Sequence, residues 1–127
     1  MADDIGKLIL RLTLGVLILL HGIAKLRFGL GGIEGLLEAA GMPRWFAYGV
    51  LVGEVLAPLL LIAGYYARIG AALVAVTMLF AIGLAHRGDL LALTRTGGWA
   101  IELQAMFLAA AIVAMLIGPG RFAVNRR

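Results

Sequence analysis

Four long apolar stretches constrain this chain more than any other feature. They run over residues 5–28, 45–66, 67–86 and 99–118, each close to the roughly 20 residues that an α-helix needs to cross a bilayer core about 30 Å thick. In hydrocarbon every backbone N–H and C=O must be satisfied within the segment, so runs of this length are expected as helices. Composition agrees. Only 14% of the 127 residues are charged and 63% are hydrophobic, and the mean hydropathy is +1.04. A soluble domain carries about 25% charged residues. The expected fold is an all-α membrane protein: one domain over residues 1–127, an antiparallel bundle of four transmembrane helices.

The connections refine that picture. The second and third runs are separated by "GYYAR" (64–68), which predicts a tight hairpin with Gly64 at the turn and Tyr65, Tyr66 and Arg68 as interfacial anchors. Between the first and second runs, "GLGGIEGLLEAAGMPRW" places Ile33, Leu36, Leu37 and Ala40 at helical spacing, with Glu34 and Glu38 on another face. Residues 33–40 therefore read as a short amphipathic helix on the membrane surface, either a lid or a simple linker; Gly41 ends it and Pro43 prevents its continuation. Pro58 falls inside the second run and is expected to kink it, freeing a carbonyl near residue 54. The eighteen glycines suit close helix approach. The N-terminus "MADD" lacks a basic signal-peptide start, so the first run is expected to stay as a mature helix. Lys7, Arg68, Arg121, Arg126 and Arg127 lie on the side of the termini, with Arg11 about a turn inside. Lys25, Arg27, Arg44, Arg87 and Arg95 lie opposite. The balance slightly favours cytoplasmic termini.

Several chemistries are excluded or weakened. The chain has no cysteine, which removes disulfides, thiolate catalysis and Cys-ligated clusters. It has no serine, and no threonine has a base nearby in sequence, so no catalytic residue is assigned. No metal site is assigned, because no His-x-x-His or Glu-x-x-His pair occurs. His21 and His86 differ in depth by roughly 8 Å on the helical rise, which argues against shared haem ligation. The net charge of +4 and the pI near 10.1 come from basic residues scattered at helix ends. That is where a chain meets lipid head groups rather than nucleic acid.

The remaining signal is a set of ionisable residues. Following each run across the bilayer puts His21 and Glu54 roughly 10–13 Å below the surface opposite the termini, and Lys25, His86 and Glu102 roughly 2–6 Å below it. Each has a plain alternative: His21 bonded to a carbonyl, Lys25 snorkelling, His86 interfacial, Glu102 hydrated. Glu54 is the hardest to leave facing lipid, since a charge at the bilayer centre costs about 2.5–3.5 kcal/mol on insertion scales. The economical arrangement turns all five inward, with Lys25 paired to Glu54 or Glu102 and His21 close to Glu54. Gly22 and Gly53 flank the polar positions and would let the helices approach. Arg11 is expected to snorkel or to pair with Asp4, and Gln104, two residues from Glu102, is given no role.

"LHGIAKL", "GEVLAPLLLIAGYYAR" and "GGWAIELQAMFLAAA" together resemble the DoxX family of small bacterial membrane proteins. The family pattern of His-Gly…Lys, Gly-Glu, Gly…Arg and a later Glu matches His21, Gly22, Lys25, Gly53, Glu54, Gly64, Arg68 and Glu102. The "AAGMP" before the second run also fits, whereas the tail reads "GPGRFAVNRR" where the family often closes with Gly-x-Gly and then Ser-Leu-Asp. The resemblance implies a multi-pass protein of the bacterial inner membrane, redox-associated, as a subunit or binding protein more than an independent enzyme. With the polar cluster, this leads to the expectation of a quinone-like or other small apolar ligand bound at His21, Lys25, Glu54, His86 and Glu102, with a redox partner protein; a homodimer is compatible. The competing expectation is a non-enzymatic assembly subunit or a small proton-linked transporter, although no internal repeat of the kind common in transporters is evident.

Overall fold

The computed structural model describes residues 1–29, 31–43, 45–85, 93, 95, 97–99 and 101–125. Its elements are helices: α1 (Ala2–Phe28), α2 (Gly31–Ala39), α3 (Phe46–Leu51), a π-helical turn (Val52–Leu56), α4 (Ala57–Ala63), α5 (Ala67–Ala85) and α6 (Glu102–Ile117). Among the described residues two are long and apolar enough to cross a membrane, α1 and the continuous stretch Phe46–Ala63; Ala67–Gly83 and Glu102–Ile117 are shorter apolar helices. The fourth apolar run thus begins its helix at Glu102, three residues later than expected.

Polarity is distributed inside out. Ile9, Leu20, Leu26, Leu79, Met106 and Leu116 are exposed, whereas Arg11, Glu54 and Thr77 are buried. A surface of that kind suits hydrocarbon as its solvent, since large contiguous apolar surface is rare on a soluble monomer. Between the helices the core is small and close-packed, built on Leu14, Ile18, Ala57, Leu61, Ala71, Val74, Phe107, Ala111 and Ala114. Alanines and glycines dominate the crossings because helices in lipid gain their cohesion from close packing.

The second run shows how one residue reshapes a helix. Pro58 has no N–H to offer the carbonyl of residue 54. The chain responds by widening the preceding turn, and the N–H of Ala57 reaches back five residues to the carbonyl of Val52. Such π turns recur at functional sites. The expected disturbance is present, and Glu54 sits inside it. The freed Glu54 carbonyl oxygen stands where a Cβ on Gly22 would be, so a Cα–H of Gly22 meets it instead. Gly53 likewise lies against the Thr77 hydroxyl, with no room for a Cβ. These contacts set the second run antiparallel to both α1 and α5: Gly15 meets Pro58 and Ile62 while Gly22 meets Glu54, and Gly70 meets Ala57 while Thr77 meets Gly53.

The hairpin forms as expected. Gly64 adopts φ 70° and ψ 30°, and the N–H groups of Gly64 and Tyr65 bond the carbonyls of Leu61 and Leu60 in the pattern that closes helix C-termini. The amphipathic segment ends in the same way: Gly41, at φ 75°, donates to Glu38 and Met42 donates to Leu37. Leu37 is fully buried, and α2 packs on α3 and α5.

Arg11 departs from expectation. It neither snorkels nor pairs with Asp4; it is 1% exposed. Its Nε donates to Pro119 O (2.9 Å), Nη1 donates to Leu61 O (2.7 Å) and Ile62 O (3.3 Å), and Nη2 donates to Phe122 O. The planar fork meets carbonyls at the end of α4 and in the tail, where the helix dipole also favours a cation. Asp4 instead accepts the backbone N–H of Arg121 (3.1 Å).

Candidate functional site

At the other end of the molecule α1, the π turn, α5 and α6 leave a cavity of about 180 Å³, lined by Ile18, His21, Lys25, Val50, Glu54, Thr77, Met78, Gln104 and Phe107 among others. Leu36 of α2 closes one side of it, so the amphipathic helix is a cover rather than a linker. A second, apolar cavity of about 160 Å³ adjoins it beneath Leu37 and shares Val50, Thr77 and Phe80.

Lys25 and Glu54 form an ion pair through Nζ and Oε2. The Glu54 side chain is 6% exposed and that of Lys25 23%, so the carboxylate is withdrawn while the ammonium faces the opening. Of the two acids considered for Lys25, the structure selects Glu54, which sits in the widened turn packed against α1. The ammonium carries three N–H groups, and the carboxylate takes one of them, so Lys25 can still donate into the cavity.

His21 lines the same cavity without bonding Glu54. Its Nδ1 lies 2.9 Å from the carbonyl of Leu17, one turn back on α1. A carbonyl only accepts, so Nδ1 carries the proton and Nε2 presents a lone pair when the ring is neutral. The ring also meets Phe107 edge-on, with centroids 5.8 Å apart. That contact fixes its orientation from α6.

One other expected member is placed differently. Glu102 is exposed and is the first residue of α6. Its carboxylate folds back over Gly98, a favourable position for an acid at a helix N-terminus, and it does not line the cavity. His86 lies outside the described residues. The cavity gains two members for which no role was expected, Gln104 and Thr77. Gln104 shares a face with Phe107, Ala111 and Ala114 by its spacing, and the last three are the buried residues of α6; that spacing was the available signal. Thr77 donates to the carbonyl of Leu73 (2.8 Å) within α5, which leaves its oxygen able to accept. Among the described residues no group of three His, Cys, Asp or Glu could hold a metal ion.

Chemically the site offers a cationic donor beside a carboxylate, a histidine nitrogen, an amide and a hydroxyl, all at the rim of an otherwise hydrocarbon-lined space. It suits a molecule with a polar head and an apolar body.

Comparison with known proteins agrees with the motifs of the first two apolar runs. The family model described as DoxX matches residues 6–87. CatD of Bacillus subtilis (strain 168), provisionally named an oxidoreductase, is 32% identical over 82 residues, which cover 62% of this chain and 58% of that protein. The match therefore spans little more than half the length of that relative. No solved structure matches.

Proposed function

The chain belongs to the DoxX family of membrane proteins, and we propose that it is a redox-associated subunit that binds a quinone-like ligand between its helices. In this reading α1, the Phe46–Ala63 stretch, α5 and α6 cross the bacterial inner membrane as an antiparallel four-helix bundle with cytoplasmic termini. The observation that carries the ligand is the Lys25–Glu54 pair set at the edge of an apolar cavity.

Size supports the assignment. A dry apolar cavity of about 150 Å³ takes up benzene, so about 180 Å³ holds a single-ring head group. The adjoining space under Leu37 gives an apolar tail somewhere to go. Polarity supports it as well. A quinone presents carbonyl acceptors, which the Lys25 ammonium and the Gln104 amide can meet, and its reduced form presents hydroxyls, which His21 Nε2 and Thr77 Oγ1 can accept. The provisional oxidoreductase name of CatD points the same way. With no cysteine in the chain, electrons would pass between the ligand and a redox partner protein, and this chain would bind and orient the ligand.

The test is titration of the full chain, held in lipid nanodiscs, with short-tailed ubiquinone and menaquinone analogues. Saturable binding is expected, weakened at least ten-fold by Glu54→Gln, which keeps the shape but loses the charge that holds Lys25. Absence of binding in the wild type, or equal binding in the variant, would overturn the reading. A variant that shifted only thermal stability or oligomeric state would mark the pair as structural instead.

A further inference from the structure

At the end of the molecule remote from the cavity just described, a separate polar pocket of about 430 Å³ is lined by Asp4, Lys7, Arg68, Pro119, Gly120 and Arg121, with Ile117 in its wall. Three segments distant in sequence build it: the start of α1, the start of α5 and the tail after α6. Three cations against one carboxylate leave its lining with a net positive charge. Among the described residues no carboxylate pairs with Lys7, Arg68 or Arg121, and Asp4 is engaged by the backbone N–H of Arg121.

The cations are held in place by the glycines of "GPGR". Gly118, at φ 79°, has the Arg68 guanidinium against its Cα: a Cβ there would lie 2.7 Å from Nη2 and 3.0 Å from Nε. Gly120, at φ 80°, has the Lys7 side chain against it, 3.1 Å from the same imagined atom. Both positions use backbone conformations that glycine adopts without strain. The tail is itself pinned by Arg11, which bonds the carbonyls of Pro119 and Phe122. The buried arginine thus fixes the loop against which two cations lie, Lys7 half-buried and Arg68 exposed. Side chains gathered in this way recognise a phosphate: the guanidinium as a planar fork, the ammonium as a point charge. Ile117 is half exposed beside them. Asp3 lies in the neighbouring groove beside Lys7, outside this lining.

We propose that Lys7, Arg68 and Arg121 form a binding site for a phosphate group at this end of the molecule. The apolar wall of Ile117 fits the phosphate of an anionic phospholipid, and the same cations would accept a soluble phosphate. Basic pockets between helices at a membrane surface are a known mode of head-group recognition.

The experiment measures binding to the full chain in two arms. The first compares phosphatidylglycerol with phosphatidylcholine in detergent micelles, reading retained lipid by mass spectrometry. The second titrates inorganic phosphate against the chain in phosphatidylcholine nanodiscs. Each of Lys7→Gln and Arg68→Gln is expected to lower the affinity roughly five-fold, the effect of one cation near a membrane surface. Arg68→Lys should lose less, and Arg27→Gln, at the other end of α1, should change nothing. A preference for phosphatidylglycerol with this dependence identifies a lipid; the same dependence on inorganic phosphate alone identifies a soluble anion. Either supports the site. No anion binding in either arm, or an equal loss in Arg27→Gln, overturns it.

Discussion

The two ends of α1 each bring a basic residue inward, and they treat it oppositely. Arg11 is sealed: four backbone carbonyls from two segments receive its donors, and no carboxylate takes part. Lys25, fourteen residues on along the same face, meets a single carboxylate beside open space. Satisfying a charge with fixed backbone dipoles makes a rivet, because each of the three guanidinium nitrogens is bonded and nothing need move. Satisfying it with one side chain at a cavity rim leaves donors available for a visitor. The presence of a charge in an apolar helix therefore says little about function until its partners are known.

The largest expected effect would break the sealed end. Arg11→Met removes the guanidinium from the carbonyls of Pro119, Leu61, Ile62 and Phe122; Leu61 keeps the N–H of Gly64, and each buried acceptor left unsatisfied costs about 1–3 kcal/mol. A loss of at least about 3 kcal/mol is expected, measured by thermal unfolding in detergent, with the tail opened to proteolysis. Arg11→Lys should not rescue it, since a point ammonium cannot span the same carbonyls. A variant as stable as the wild type would show that the clasp contributes little.

An intermediate effect is expected at the open end. Gly22→Ala places a methyl group on the Glu54 carbonyl and against Val55, an overpacking that costs about 1–3 kcal/mol. Because it displaces the π turn, it should also weaken ligand binding. Gly6→Ala is the control on the same helix: nothing lies within 4 Å of the added atom, and helix propensity favours the change by roughly 0.5–1 kcal/mol. Equal effects of the two variants would refute the idea that the Gly22 contact positions Glu54.

The smallest effect sharpens the boundary of the cavity. Glu102→Gln is expected to change stability by no more than about 0.5 kcal/mol, as surface substitutions usually do, and to leave ligand affinity unchanged. Gln104→Leu, two residues on, should weaken binding several-fold in the same titration. A reversed order would mean that α6 is rotated relative to its neighbours.

What the sequence determined by itself is the part governed by solvent and by local geometry. Apolar runs of this length must satisfy their own backbone in hydrocarbon, so the helices follow; Pro58 must disturb its helix, Gly64 and Gly41 must end theirs, and Glu54 was the acid hardest to leave facing lipid. The tertiary structure decided which groups meet. Glu54 rather than Glu102 reaches Lys25: one lies in a π turn packed on α1, while the other stands at the first residue of a helix that starts late. Gln104 enters the cavity because Phe107, Ala111 and Ala114 set the rotation of α6. The fate of Arg11 depended on carbonyls as far as 111 residues away. Backbone acceptors carry no mark in a sequence, because every residue has one, and only packing reveals which of them are left unpaired.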